Sequence, residues 1–443
     1  MRRRSRWWLL FLLLLICIIS FSSCRLAFFY PQRPSEEEKI KLSFRHFWIG
    51  KHDEPMERIV NETIERFESE HPNIKIDVEG IDQTIHREQK LKSEMVTGQP
   101  PDIFSLFGGA EIEPYVEAGR LLDLTAFVQS RGWQSEFSDL GLWTFGDNIY
   151  GLPIEGNAEP LFYNKKIFAD LHLQPPQTID ELFTVITALK EQGIIPFALG
   201  NDTRWPAAIY VHYLMDRQVG SEMFNQIAAG NMSFNNPDYL EAMTLFDRMV
   251  KEGAFPTGAN LMSSEQAAAL FTSGQAAMYL NGNWDISLFQ DEESGESFQD
   301  QVGVLSFPAR MNGGPQALAG GYTMGIGLSS ALTGSKREAA LEFLAELYKQ
   351  DVQQRIMIEA YRIPVMADEV NADLTGPIFS QVINLTEASS LKFVPYDNML
   401  APEVKQTFLH VIAGIINQTI TPEESLLQLD QAAKNYWELV RSR

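Results

Sequence analysis

Apolar residues along this chain fall into two spacings that alternate. From Lys41 to Ile49 they follow the pattern of a β-strand, and Ile74, Ile76 and Val78 alternate as a second strand. Between these, Met56, Ile59, Val60, Ile64 and Phe67 recur three and four apart, which predicts a helix ending before His71-Pro72. Gln83 to Thr97 predicts another helix, stopped by Gly98 and followed by Pro100-Pro101, and Asp102 to Leu106 reads as a short apolar strand. A strand–helix–strand–helix–strand order implies parallel pairing with helices on the sheet faces.

A second α/β set follows. Thr178 with Glu181 predicts the capped start of a helix running to about Glu191 and stopping at Gly193. Ser263 with Gln266, Ser335 with Glu338, and Thr421 with Glu424 mark three more helix starts, the last with Pro422 at the first helical position. Short apolar strands are expected at Pro196–Leu199, Ala277–Leu280 and Val302–Ser306. A single core rarely grows past about 250–300 residues. A chain of 443 residues is therefore expected to form two lobes.

The N-terminus has a different pattern. Arg2, Arg3, Arg4 and Arg6 precede an apolar run from Trp7 to Phe21, which ends in Ser22-Ser23-Cys24. That run is short of the roughly 20 residues needed to cross a bilayer core, so residues 1–23 read as an export signal. The small residues before Cys24 resemble a bacterial lipoprotein signal. The resemblance implies that Cys24 is lipidated and that residues 24–39 form a tether. Phe21, Arg25 and Leu26 depart from that pattern, and an uncleaved signal anchor is the alternative. Either reading puts the folded part outside the cytoplasm.

Charge and cysteine usage narrow the chemistry. Lys and Arg number 36 against 58 Asp and Glu, a net charge of −22. This is the wrong sign for a nucleic-acid partner, which needs cations to displace phosphate counterions. The two cysteines, Cys17 and Cys24, both lie in the leader, which excludes disulfides and a cysteine zinc site in the folded part. There is no Gly-x-Ser-x-Gly elbow and no His-Glu-x-x-His helix, and the seven histidines lack metal-ligand spacing. No cofactor and no metal is expected.

The order of short segments is more specific than any one of them. Phe47-Trp48 ends the first strand, and His71-Pro72-Asn73-Ile74 leads into the second. Gly98-Gln-Pro-Pro-Asp102, Gly119-Arg-Leu-Leu-Asp-Leu124, Tyr150-Gly-Leu-Pro153 and Leu161-Phe-Tyr-Asn-Lys165 follow. Phe271-Thr-Ser-Gly-Gln-Ala-Ala-Met278, Asn281-Gly-Asn-Trp284 and Gly320-Gly321 complete the series. From residue 40 on, the chain resembles the extracellular solute-binding proteins of bacterial ABC importers, of the carbohydrate, maltose-binding-like kind. The resemblance implies a two-lobed periplasmic-binding-protein fold of type II, each lobe a mainly parallel sheet flanked by helices. The lobes would comprise residues 40–155 plus 322–364 and 156–321 plus 365–443. Crossings near Glu155–Pro160, Ala317–Tyr322 and Ile363–Met366 would let them close on a ligand.

A pyranose has apolar C–H faces and a rim of hydroxyls. Its site calls for aromatic plates, together with carboxylates or amides that accept from and donate to those hydroxyls. Candidates at strand ends and crossings are Trp48, Glu155, Asn157, Glu159, Trp205, Asn283, Trp284, Asp285, Gly321, Tyr322 and Arg362. Trp133, Trp143 and Trp437 read as packing residues. The expected function is that of a monomeric, lipid-anchored substrate-binding protein at the extracytoplasmic face of the bacterial membrane. It would bind a mono- or oligosaccharide without chemistry and deliver it to ABC permease subunits served by a separate ATPase. A binding protein that reports sugar to a sensor kinase, or an extracytoplasmic carbohydrate hydrolase, are the alternatives.

Overall fold

The computed structural model describes residues 39–289, 298–311, 314, 316–366, 372–389 and 392–442. The expected export signal, Cys24 and all but the last residue of the expected tether lie outside the described residues. Among those residues, no helix is long and apolar enough to cross a membrane.

Helix Glu54–Glu70 illustrates how local sequence and packing agree. Pro55 and the acidic Glu54 and Glu57 suit its first turn. Met56, Ile59, Val60, Ile64 and Phe67 form its buried stripe, and each contributes about 1.5–3 kcal/mol relative to exposure. Phe67 meets Phe343 edge-on, with ring centroids 5.4 Å apart. The helix ends at His71, as the following proline requires.

The strands in chain order are β1 (Ile40–His46), β2 (Ile74–Gly80), β3 (Ile103–Phe107), and a small hairpin of β4 (Thr144–Phe145) and β5 (Asn148–Ile149). Next are β6 (Leu152–Ala158), β7 (Leu161–Asn164), β8 (Ile195–Ala198) and β9 (Ala276–Leu280). The last are β10 (Val302–Leu305), β11 (Leu318–Leu328) and β12 (Lys392–Phe393). One sheet has the order β12-β11-β3-β1-β2, with β6 also paired to β11, and the other has the order β10-β7-β9-β8.

The α/β class and two-sheet plan match the sequence reading, but the sheets are mixed where mainly parallel ones were expected. β1 and β3 are parallel, as the strand–helix alternation implies. β11 returns from the second sheet and therefore runs antiparallel to β3. In the second sheet only β8 and β9 run parallel, while β7 is antiparallel to both β9 and β10. Strands reached by a crossing enter from the opposite side and so reverse direction.

Of the four expected capping boxes, two form as such and two depart. Ser263 with Gln266 and Thr421 with Glu424 each form the reciprocal box. Thr178 accepts from the Glu181 N–H, whereas the Glu181 carboxylate reaches back one residue further, to the Gln177 N–H at 2.7 Å. The helix expected to open at Ser335 starts earlier, at Gly334 behind Thr333, without a side-chain cap. In the second lobe, helix Trp205–Val219 is buried on nearly every side. That is the position of an apolar helix inside a core, and Tyr210 and Tyr213 anchor it there.

Three segments run side by side between the sheets. β6 pairs with β11 through Gly320 opposite Ala158 and Gly321 opposite Asn157. On the other edge of β6, Gly156 and Ile363 exchange both backbone bonds, at 2.8 and 2.9 Å. Gly156 has no room for a side chain, because a Cβ there would stand 2.7 Å from the Tyr322 ring. Asn283 fastens this ribbon to the second sheet: its Oδ1 accepts from the Ala158 N–H at 2.7 Å and its Nδ2 donates to the Tyr361 carbonyl. Asn283→Ala would strip the buried Ala158 N–H of its acceptor, a loss of roughly 1–3 kcal/mol. Urea unfolding of the two proteins measures this, and an unchanged midpoint would show that the tie carries no weight.

Candidate functional site

Strand ends from both sheets converge on one cleft. Beyond β1 the chain supplies Phe47 and then, in the turn Lys51–Asp53, His52 and Asp53; β3 ends in Phe107. From the second sheet, Trp205 opens the helix after β8, and Trp284 lies in the turn after β9. Between them run β6, which contributes Glu155 and Asn157 and is followed at once by Glu159, and β11, which contributes Thr323 and Met324. Glu155, Asn157 and Glu159 share one face because strand side chains alternate with period two. Open α/β sheets collect ligands at such strand ends.

Backbone geometry aims two of these side chains. Arg204 and Tyr361 are non-glycine residues with positive φ, 74° and 54°, and each immediately precedes a cleft residue, Trp205 or Arg362. Such conformations cost energy and concentrate where a side chain must be positioned. The Trp284 ring folds back over Gly282, where a Cβ would come within 2.1 Å of it. Trp205 and Trp284 meet at a centroid distance of 5.9 Å and an angle of 62°. They form two plates on one wall.

The floor is ionic. The Arg362 Nη2 donates to Asp53 at 2.7 Å, its Nε to Glu155 at 2.9 Å, and its Nη1 to the Ala360 carbonyl at 2.9 Å. Burial raises the Asp53 carboxyl, but His52 and Arg362 outweigh this and hold it below the ordinary carboxylate range. Burial pushes Glu155 up, against the pull of Arg362. Glu159 is likewise raised by burial, with the His212 Nε2 3.0 Å away working against it. His52 lies 3.2 Å from Asp53 and 3.7 Å from Asp285, which sits beyond β9. Burial lowers the His52 pKa, but Asp53 and Asp285 raise it overall, to about 9. Also in the cleft lining, Arg87 stacks its guanidinium 3.8 Å over Phe107 and is bound by Glu111. Arg87 projects from a π-helical stretch, Ile85–Leu91, a distortion common at functional sites.

Residues 50–354 match the family profile described as bacterial extracellular solute-binding protein. The chain belongs to that family. Over 267 residues it is 29% identical to an uncharacterised ABC transporter extracellular-binding protein of Pyrococcus horikoshii, covering 58% of this chain and 59% of that relative's own length. It is 21% identical over 373 residues to the multiple sugar-binding protein of Streptococcus mutans, covering 82% of this chain and 84% of that one. Among solved structures it resembles a chitin oligosaccharide binding protein, with a TM-score of 0.85 and 27% identity over 90% of this chain and 98% of the other. The fold is the two-lobed one of the periplasmic binding proteins.

In this solute-binding protein, six of the sequence-derived candidates line one cleft: Glu155, Asn157, Glu159, Trp205, Trp284 and Arg362. Five others are placed elsewhere. Trp48 is fully buried and stacked on His46 at 5.3 Å; β1 ends at His46, and in the irregular backbone beyond it Phe47 lines the cleft while Trp48 packs in the core. Asn283 is occupied in tying the crossing ribbon, and Asp285 is buried, accepting from Tyr279 and Asn281. Gly321 pairs within the β6–β11 ladder, and Tyr322 lays its ring against Gly156. The list lacked Phe47, Arg87, Phe107, Asp397 and Asn398, which also line the cleft. Only Phe47 carried a sequence signal, as the neighbour of Trp48 at a strand end.

The raised His52 pKa fixes the sign of a pH effect. The fold favours the imidazolium, so its contribution is complete below the unfolded value near 6.5 and is lost as pH rises through about 9. Stability should therefore fall over that interval by more in the native protein than in His52→Gln. Parallel profiles in chemical denaturation would refute the assignment.

Proposed function

We propose that the protein is the substrate-binding lipoprotein of a bacterial carbohydrate importer. It takes a mono- or oligosaccharide into the cleft and passes it to permease subunits whose ATPase lies in other chains. The observation that carries this reading is the convergence of two angled indole plates, Trp205 and Trp284, with the acceptor row Glu155, Asn157 and Glu159. The plates suit sugar C–H faces and the row suits hydroxyl donors. The sugar-binding and oligosaccharide-binding names of the relatives support the same class of ligand. We take the lobes as residues 40–155 plus 322–364 and 156–321 plus 365–443, with hinge closure around the ligand. Binding proceeds without chemistry. Asp53 and Glu155 are both engaged by Arg362, an arrangement suited to holding charge in place and not to exchanging protons with a substrate.

Thermal melting of the purified full-length protein in mild detergent, against a panel of mono- and oligosaccharides, tests the reading. A ligand that binds only the folded form stabilises by about 2.7 kcal/mol at a hundredfold excess over Kd. One sugar should shift the transition and be recovered unchanged; no shift with any sugar would reject a carbohydrate ligand. Trp284→Ala should weaken binding of that sugar roughly tenfold, in line with one lost aromatic contact, and leave the ligand-free melting temperature in place.

Anchoring is tested separately. Expressed in a bacterium that processes lipoproteins and grown with radiolabelled palmitate, the protein should be found in the membrane fraction carrying the label, and Cys24→Ser should lose the label. A native protein held in the membrane without label would favour an uncleaved signal anchor.

A further inference from the structure

Charge in the cleft does not balance. Four carboxylates line it, Asp53, Glu155, Glu159 and Asp397, against the guanidinium groups of Arg87 and Arg362 and the imidazole of His52. Both guanidinium groups are committed. Arg362 binds Asp53 and Glu155, and Arg87 binds Glu111, which lies behind the lining. His52 stands between Asp53 and Asp285. Glu159 and Asp397 are left over.

Among the described residues, neither of these two forms an ion pair with a lysine or arginine. The near neighbour of Glu159 is His212, 3.0 Å away, which offsets its charge only when protonated. Asp397 acts on Arg87 and Lys405 at longer range, and Glu111 already holds both of those cations. The two leftover carboxylates also act on each other. Burial raises Glu159 most, His212 works against the rise, and the negative charge of Asp397 adds to it. Glu159 is 4% exposed, so water does little to relieve this repulsion; a cation between the two would.

The neighbouring groups suit the same visitor. Asn157 spends its Nδ2 on the Thr323 Oγ1 at 2.9 Å, and its buried Oδ1 has no hydrogen-bond partner. Trp205 lines the same space, and the face of an indole attracts a cation as well as a C–H surface. A hydroxyl brings one donor, and its lone pairs ask for donors in return. An ammonium brings three donors and no acceptor, which matches two carboxylates and an amide oxygen.

We propose that the ligand is an amino sugar whose protonated amine is held by Glu159, Asp397 and the Asn157 Oδ1, with Trp205 beside it. This assignment rests on the carbohydrate function proposed above and adds the charge of the ligand to it. Glu159 and Asp397 are then the residues that select for positive charge, while Arg362 keeps Asp53 and Glu155 out of that role.

Calorimetric titration of the full-length protein in mild detergent tests it with two matched sets: glucosamine, N-acetylglucosamine and glucose, and galactosamine, N-acetylgalactosamine and galactose. The measurement is made at about pH 6, below the range of about 7.7–8.0 in which an α-amino group loses its proton, so that the sugar amine is charged. One of the free amines should bind at least about tenfold more tightly than both of its neutral counterparts, as one hydrogen bond to a charged group supplies. Glu159→Gln should bring the amine down to the level of the neutral sugars. Asp397→Asn, at a half-buried position, should reduce the preference at least about threefold and keeps the test open if Glu159→Gln fails to fold. The exposed Glu113→Gln should leave the preference unchanged. Equal or weaker binding of the amines, a preference that survives both cleft variants, or one lost equally with Glu113→Gln overturns the ammonium site while the carbohydrate function stands. Binding by none of the six, with a neutral sugar active in the melting panel, likewise overturns the ammonium site alone. Failure of every sugar overturns both.

Discussion

A guanidinium group cannot be buried without counter-charge, and Arg362 is 1% exposed. Its two partners come from distant parts of the chain: Asp53 beyond the first strand, and Glu155 on β6. Removing one partner of such a buried pair typically costs about 3–5 kcal/mol, because the remaining charge stays in a poor solvent. The first sheet, the middle crossing strand and the third crossing are therefore held to one geometry by a single cation. His52 extends this group toward Asp285, in the turn beyond β9 of the second sheet. The ionic floor thus reaches elements on both sides of the cleft.

The same economy holds for other cations near the cleft. Arg87 is bound by Glu111, with the Lys405 ammonium 3.6 Å from that carboxylate, and Arg217 is satisfied by Asp216 and three carbonyls. These positive charges serve the protein's own carboxylates and backbone. The cleft lining thus combines these paired charges with aromatic surface and with carboxylate and amide oxygens. A net charge of −22 keeps the outer surface self-repelling and soluble, separate from this internal balance.

Much of the fold was legible because it rests on short-range rules. The apolar stripe of Glu54–Glu70, the stop at His71-Pro72, and the boxes at Ser263 and Thr421 depend on residues within one or two turns. The start expected at Ser335 failed because the backbone settled its first turn from Thr333 and Gly334 without a side-chain bond. In the cleft lining, the grouping of Glu155, Asn157 and Glu159 on one face was legible from strand alternation. It was illegible where irregular backbone beyond a strand end decides between core and cleft, as at Phe47 and Trp48.

By itself the sequence determined the α/β class, the need for two lobes, and the absence of disulfides from the folded part. These follow from periodicity, length and composition, which the chain carries at every position. Only the tertiary structure decided the direction of the crossing strands, the pairing of Arg362 with Asp53 across 309 positions, and the burial of Asn283 and Asp285. Those outcomes depend on which distant backbones come to lie side by side, and on the rule that every buried charge and amide must find a partner there.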